Sequence, residues 1–159
     1  MADTSYLTRV VEPHLVRWAA EKKGVRLAKR SVVVGQDANG HDVCFEFDGV
    51  SADGKTGVCA SASCSFKTGQ MLKLFRDATL LSRANFQTRI MVFIRIDVWE
   101  AFRNTYDGLV CLKDITPMFC SNMPPEMKRA IAKIYRISAE EVGAKASRVR
   151  PIPKKRSHR

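Results

Sequence analysis

"HDVCFEFDGVSADGKTGVCASAS", residues 41–63, decides the fold. Two runs with strand character flank a short turn. In the first, Val43, Phe45 and Phe47 alternate with Cys44, Glu46 and Asp48, and a strand sends alternate side chains to opposite faces. Asp53-Gly54 supplies the turn, because such a pair tolerates the positive φ that tight hairpins need. In the second run Val58, Ala60 and Ala62 alternate with Cys59, Ser61 and Ser63, so this strand is built from small residues.

The pattern extends in both directions. "RLAKRSVVVG" (26–35) reads as a strand, and Asn39-Gly40 turns it into 41–51. Residues 58–65 then complete a three-stranded meander. Before it, residues 4–23 read as a helix, with Val10, Val11, His14, Leu15, Trp18 and Ala19 at helical spacing and Gly24 placed to stop it. Pro13 removes a donor there and predicts a kink or a start near Glu12.

After the meander, "KTGQMLKLFRDATLLSRAN" (67–85) reads as a helix. Met71, Leu74, Phe75, Ala78 and Leu81 form its apolar stripe, with Lys73, Arg76 and Arg83 outside it. "TRIMVFIRID" (88–97) has the near-continuous apolar run of a strand buried on both faces. "DVWEAFRNTYDG" reads as a short helix capped by Asp97, and "GLVCLKDITP" (108–117) as a fifth strand. A final helix or helix pair opens at Pro124-Pro125. This order predicts an α/β three-layer α/β/α sandwich around a mixed central sheet.

Composition sets the remaining bounds. The 159 residues are enough for one ordinary domain, and a charged fraction of 27% beside an apolar fraction of 45% is that of a soluble globular chain. No apolar run approaches the roughly 20 residues of a membrane span, and the first residues lack a signal-peptide layout, so the expected location is cytoplasmic with no membrane partner. Five cysteines, none in a CxxC pair, and three scattered histidines argue against a disulfide framework and against structural zinc. No Gly-rich phosphate loop is present.

The net charge is +11, and its distribution is uneven. Residues 145–159 hold Lys145, Arg148, Arg150, Lys154, Lys155, Arg156 and Arg159 and no acid. The expected division is therefore a folded domain over 1–144 and a basic, unfolded tail over 145–159. Seven cations on such a segment attract phosphate backbones, DNA or RNA, with little sequence preference. No aromatics interleave with them, so base stacking is not indicated.

The element order, with "FEFDGVSADG", "GQMLKLFRDATLL" and "IMVFIRID", resembles the restriction-endonuclease-like PD-(D/E)XK superfamily over roughly residues 10–115. The resemblance implies an αβββαβ core. It also implies a site with an aspartate late in the second strand, an acid-x-lysine on the third and often a glutamate from the first helix. Asp48 matches the aspartate and Glu12 the helix glutamate, but Cys59 and Ser61 fall where the acid and the lysine belong. Cysteine is a poor ligand for Mg²⁺, which takes hard oxygens, and serine carries no charge. No register of "GVCASAS" supplies an acid.

Three readings follow. The favoured one is a nuclease fold that has lost phosphodiesterase activity and serves as a nucleic-acid binding module, with no cofactor. The second is an active Mg²⁺-dependent nuclease with a rearranged site, in which Asp48 and Glu46 hold the metal, Glu12 is a third acid, and the lysine comes from Lys73 or Lys67 on the following helix. The third is an α/β interaction subunit, a homodimer or part of a larger complex, using the Met-rich stretch "TPMFCSNMPPEM". Whether the chain is an enzyme thus turns on whether anything replaces the third-strand pair.

Overall fold

The computed structural model describes residues 4–146, with side chains through residue 140. A π-helical turn over Leu7–Val11 leads into α1 (Glu12–Lys23). There follow β1 (Leu27–Gln36), β2 (Asp42–Ser51), β3 (Thr56–Ser61), α2 (Thr68–Arg83), β4 (Thr88–Phe93), α3 (Ile96–Tyr106), β5 (Ile115–Phe119) and α4 (Pro125–Ala146). The sheet runs in sequence order, β1-β2-β3-β4-β5. β1, β2 and β3 pair antiparallel, whereas β4 and β5 add parallel. Parallel neighbours need crossovers, which α2 and α3 provide. The predicted αβββαβ order and three-layer sandwich are what the chain forms.

Burial separates the layers. Leu15 and Ala19 of α1 and Met127 and Ile131 of α4 pack on Val58, Ala60, Ile90 and Val92. Leu74, Ala78 and Leu81 of α2 and Val98 and Phe102 of α3 pack on Phe47, Cys59, Met91 and Phe93. Both faces of β3 and β4 are covered, which is why β4 reads as a continuous apolar run. Met123, just before α4, and Met127, within it, are buried, so this part of the Met-rich stretch supplies core. No described helix is long and apolar enough to cross a membrane.

Several boundaries differ from expectation. β3 ends at Ser61 and β4 at Phe93, each earlier than predicted. The fifth strand is displaced: Leu109 and Val110 both donate to Tyr106 O in turns that close α3, Leu112 plugs the core, and the strand is "ITPMF". Its Pro117 is tolerated because β5 is an edge strand. Asp97 is not a cap. It lies inside the first turn of α3, paired with Arg95. The last segment is one helix through Ala146, so Lys145 belongs to α4, while Arg148, Arg150, Lys154, Lys155, Arg156 and Arg159 lie outside the described residues.

Gly24 and Gly57 are required for different reasons, one conformational and one of space. Gly24 ends α1 at φ 65°, as its position predicts. At Gly57 a Cβ would stand 2.2 Å from Cε2 of Phe86, a ring only 4% exposed and packed edge-on against Phe47 at 5.0 Å between centroids. Neither ring has room to retreat, so Gly57→Ala is expected to cost about 1–3 kcal/mol by overpacking. The urea midpoint should fall accordingly, whereas Gly69→Ala, with open space around it, should leave it nearly unchanged. Equal midpoints for the two variants would mean that the Phe86 contact is not restrictive.

Candidate active site at the parting of β2 and β3

The β2–β3 ladder is short, pairing Gly49 with Val58 and Val50 with Gly57. Beyond it the strands part, and Ala60 N–H needs another acceptor. Asp48 Oδ2 takes that bond at 2.8 Å. The neighbouring ladder explains why Asp48 can do so. Between the pairs Arg30↔Phe47 and Ala28↔Val50, β2 places Asp48 and Gly49 against the single Lys29 of β1. This is a β-bulge, which bends a strand and re-aims its side chains. The strict alternation predicted for residues 41–51 therefore breaks at Asp48.

α1 closes over the bulge. A Cβ on Gly49 would lie 3.0 Å from Val16 Cγ1 and 3.2 Å from Leu27 Cβ, so a larger residue would push the helix away. The π-helical turn resolves the difficulty posed by Pro13. A proline ring clashes with the carbonyl four residues back in an α-helix; here the preceding turn is widened, with Glu12 N–H donating to Leu7 O. The segment stays helical and delivers Glu12, whose side chain is 13% exposed, into the parting between the strands.

Lys73 enters from the opposite layer. Its Nζ donates to Glu12 Oε1 at 2.8 Å and approaches Ala60 O at 3.5 Å. Since α1 and α2 cover opposite faces of the sheet, this contact passes through the gap that the short ladder leaves. Burial works against the Lys73 charge, but Glu12, by charge and hydrogen bond, with Asp77 and Asp48, outweighs it and raises the lysine pKa. Burial also raises the Glu12 pKa, and Lys73 only partly offsets that. Lys67, the other lysine considered, goes elsewhere, donating to Ser138 Oγ of α4 at 2.7 Å.

One residue was not anticipated. Asp77 lies one helical turn beyond Lys73, with its side chain 3% exposed, and its Oδ1 accepts from Arg76 Nε at 3.0 Å and Nη2 at 2.8 Å. Burial raises its pKa against the pull of Arg76 and Lys73. The sequence did carry a signal: Asp77 stands three residues after Leu74 and four before Leu81, inside the apolar stripe rather than outside it.

Glu12, Glu46, Asp48 and Asp77 share a pocket of about 190 Å³ with Lys29, Lys73 and Arg76. Glu46 is exposed and ion-paired with Lys29 at 3.2 Å. The two third-strand positions are buried. Cys59 is 2% exposed, with its thiol pushed well up by burial and then by Asp77 and Asp48, and Ser61 Oγ accepts from Ser63 N–H at 3.3 Å. Neither is a nucleophile poised for attack. His41 bonds to Asp37, and His14 bonds to Asn122 O.

No family model, curated protein or solved structure matches this chain.

What the pocket can do follows from its donors. Glu12 and Asp48 offer hard carboxylate oxygens, and Mg²⁺ is commonly held by one or two carboxylates together with water and phosphate oxygens. Among the described residues no three or more His, Cys, Asp or Glu side chains are gathered closely enough to hold an ion. The described residues therefore form no closed protein cage for an ion, and the oxygens on offer in the pocket are those of Glu12 and Asp48 together with Glu46 and Asp77.

Proposed function

We propose that this domain is a Mg²⁺-dependent phosphodiesterase acting on nucleic acid, in which α2 supplies the lysine that β3 lacks, with Asp77 beside it. The observation that supports it is the reach of Lys73 through the sheet to Glu12, beside Asp48 and Asp77. The substrate class rests on the resemblance to restriction-endonuclease-like enzymes and on the basic tail. Glu12 and Asp48 would hold the ion. Bound Mg²⁺ supplies charge neutralisation at the phosphate and a water of lowered pKa.

The chain's own groups do the rest. Lys73 keeps its proton at neutral pH, so a fixed cation stands where charge develops on the phosphate. Asp77, on the same helix face, favours that charge. Glu12 must be ionised, and its raised pKa means it loses its charge at a higher pH than an ordinary glutamate as the solution is acidified. Five free cysteines agree with a reducing, cytoplasmic setting.

Incubation of the full chain with labelled DNA and RNA, single- and double-stranded, in Mg²⁺ or Mn²⁺ tests the reading. Cleavage should require the metal, stop with chelator, and fade on the acid side earlier than ordinary glutamate titration predicts. Nucleic-acid binding without cleavage under either metal would replace it with the inactive binding module described by the first sequence reading.

A further inference from the structure

A wide hollow of about 690 Å³ lies beside the site, between α1 and the start of β1, with Ala20, Val25, Leu27 and Ala28 in its floor and Arg17, Arg26 and Arg30 around it. It shares Arg17 and Leu27 with a second hollow of about 470 Å³, which adds Arg9 and Lys29 and ends on Glu12 and Asp48. Those two carboxylates also line the candidate active site. The three concavities therefore form one groove, which leads along α1 to the parting of β2 and β3.

Its charge is unbalanced. Arg9, Arg17, Arg26 and Arg30 make no hydrogen bond or ion pair among the described residues, whereas the acids outside the active-site pocket are limited to Glu21. Unpaired arginines crowded along one groove repel one another and gain nothing for the fold. A guanidinium fork does match a phosphate diester oxygen for oxygen. No aromatic residue lines either hollow, so there is no platform on which bases could stack. The floor is aliphatic and offers few groups to read a base edge.

We propose that this groove carries the phosphate backbone of the nucleic acid whose scissile bond lies at Asp48, a proposal that rests on the phosphodiesterase reading for its end point. Binding along it is independent of base sequence. Its cations, Arg9, Arg17, Arg26 and Arg30, are all distinct from those of residues 145–159.

Fluorescence anisotropy of the full chain with a labelled 20-nucleotide strand and the matching duplex, in chelator so that no turnover occurs, tests this. The R17Q/R30Q double variant is compared with the parent and with R103Q, an exposed arginine of α3 in the opposite helix layer. The slope of log affinity against log salt should fall by about 1.8 for duplex and about 1.4 for single strand in the double variant, and stay put in R103Q. An unchanged slope in R17Q/R30Q, an equal fall in R103Q, or no measurable binding by the parent at low salt would overturn the groove. Equal displacement by polyglutamate at matched charge would also do so, since it would mark an acidic-protein site. Loss of binding in the groove variant with no metal-dependent cleavage by the parent leaves the groove standing and removes the catalytic reading; intact binding and KM with cleavage does the reverse.

Discussion

Lys73→Ala is expected to lower the single-turnover cleavage rate by about 10²–10³-fold while nucleic-acid affinity changes little. The lysine lies at the end of a path through the sheet, so no other cation can take its place. Lys29 is held by Glu46 and Arg76 by Asp77. With the ammonium gone, Glu12 keeps the burial that opposes its ionisation and loses the hydrogen bond and charge that favoured it. Its pKa must rise further. The acid limb of the pH–rate profile should therefore move to higher pH in the variant, a shift that a loss of packing alone would not produce. Lys73→Arg keeps the charge and should recover part of the rate. Because the lysine is about a third exposed, solvent already screens the pair, and the accompanying loss of stability should be modest. A variant that cleaves at the parental rate, or slows with an unmoved acid limb, would remove Lys73 from the chemistry.

The route by which Lys73 arrives shows what the sequence could and could not disclose. Strand alternation, the Asn39-Gly40 and Asp53-Gly54 turns, and the stripe of Met71, Leu74, Ala78 and Leu81 are local properties, and each formed the element it implied. Lys73 was visible as a cation one step off the stripe, where solvent is the usual fate of lysine. Its actual partner is 61 residues away, and the contact depends on a gap in the sheet that no local pattern encodes. The bulge at Asp48 and Gly49 is similar. Alternation places Glu46 and Asp48 side by side, whereas the extra residue opposite Lys29 turns Asp48 toward Ala60 and leaves Glu46 to Lys29.

The misplaced fifth strand has a different cause. Leu109, Val110 and Leu112 have strand-like composition but serve as a turn and a plug at the end of α3. The true strand contains a proline, which composition counts against a strand and an edge position permits. Tertiary context decided both cases.

Asp77→Asn is expected to abolish most cleavage, by about 10²-fold, and at the same time to raise the melting temperature. The stability half follows from linkage. Burial holds the Asp77 pKa above its ordinary value, with Arg76 and Lys73 offsetting only part. The folded chain then binds that proton more tightly than the unfolded chain does. Stability is greatest below the unfolded pKa and falls as pH rises through the raised folded value, so at neutral pH the ionised carboxylate is a net cost. Asparagine keeps the shape of the neutral acid and removes that cost. Arg76, whose side chain is 56% exposed, remains hydrated without its partner. Each kcal/mol recovered is worth about 2–4 °C in a chain of this size. The difference between parent and variant stability should be largest at neutral pH and shrink on acidification, which isolates Asp77 from the similar contribution of Glu12. A buried acid kept at the expense of stability is the behaviour of a site residue, and a carboxylate that merely anchors Arg76 predicts the opposite sign. Full activity in Asp77→Asn, or a lower melting temperature at neutral pH, would assign Asp77 to the scaffold.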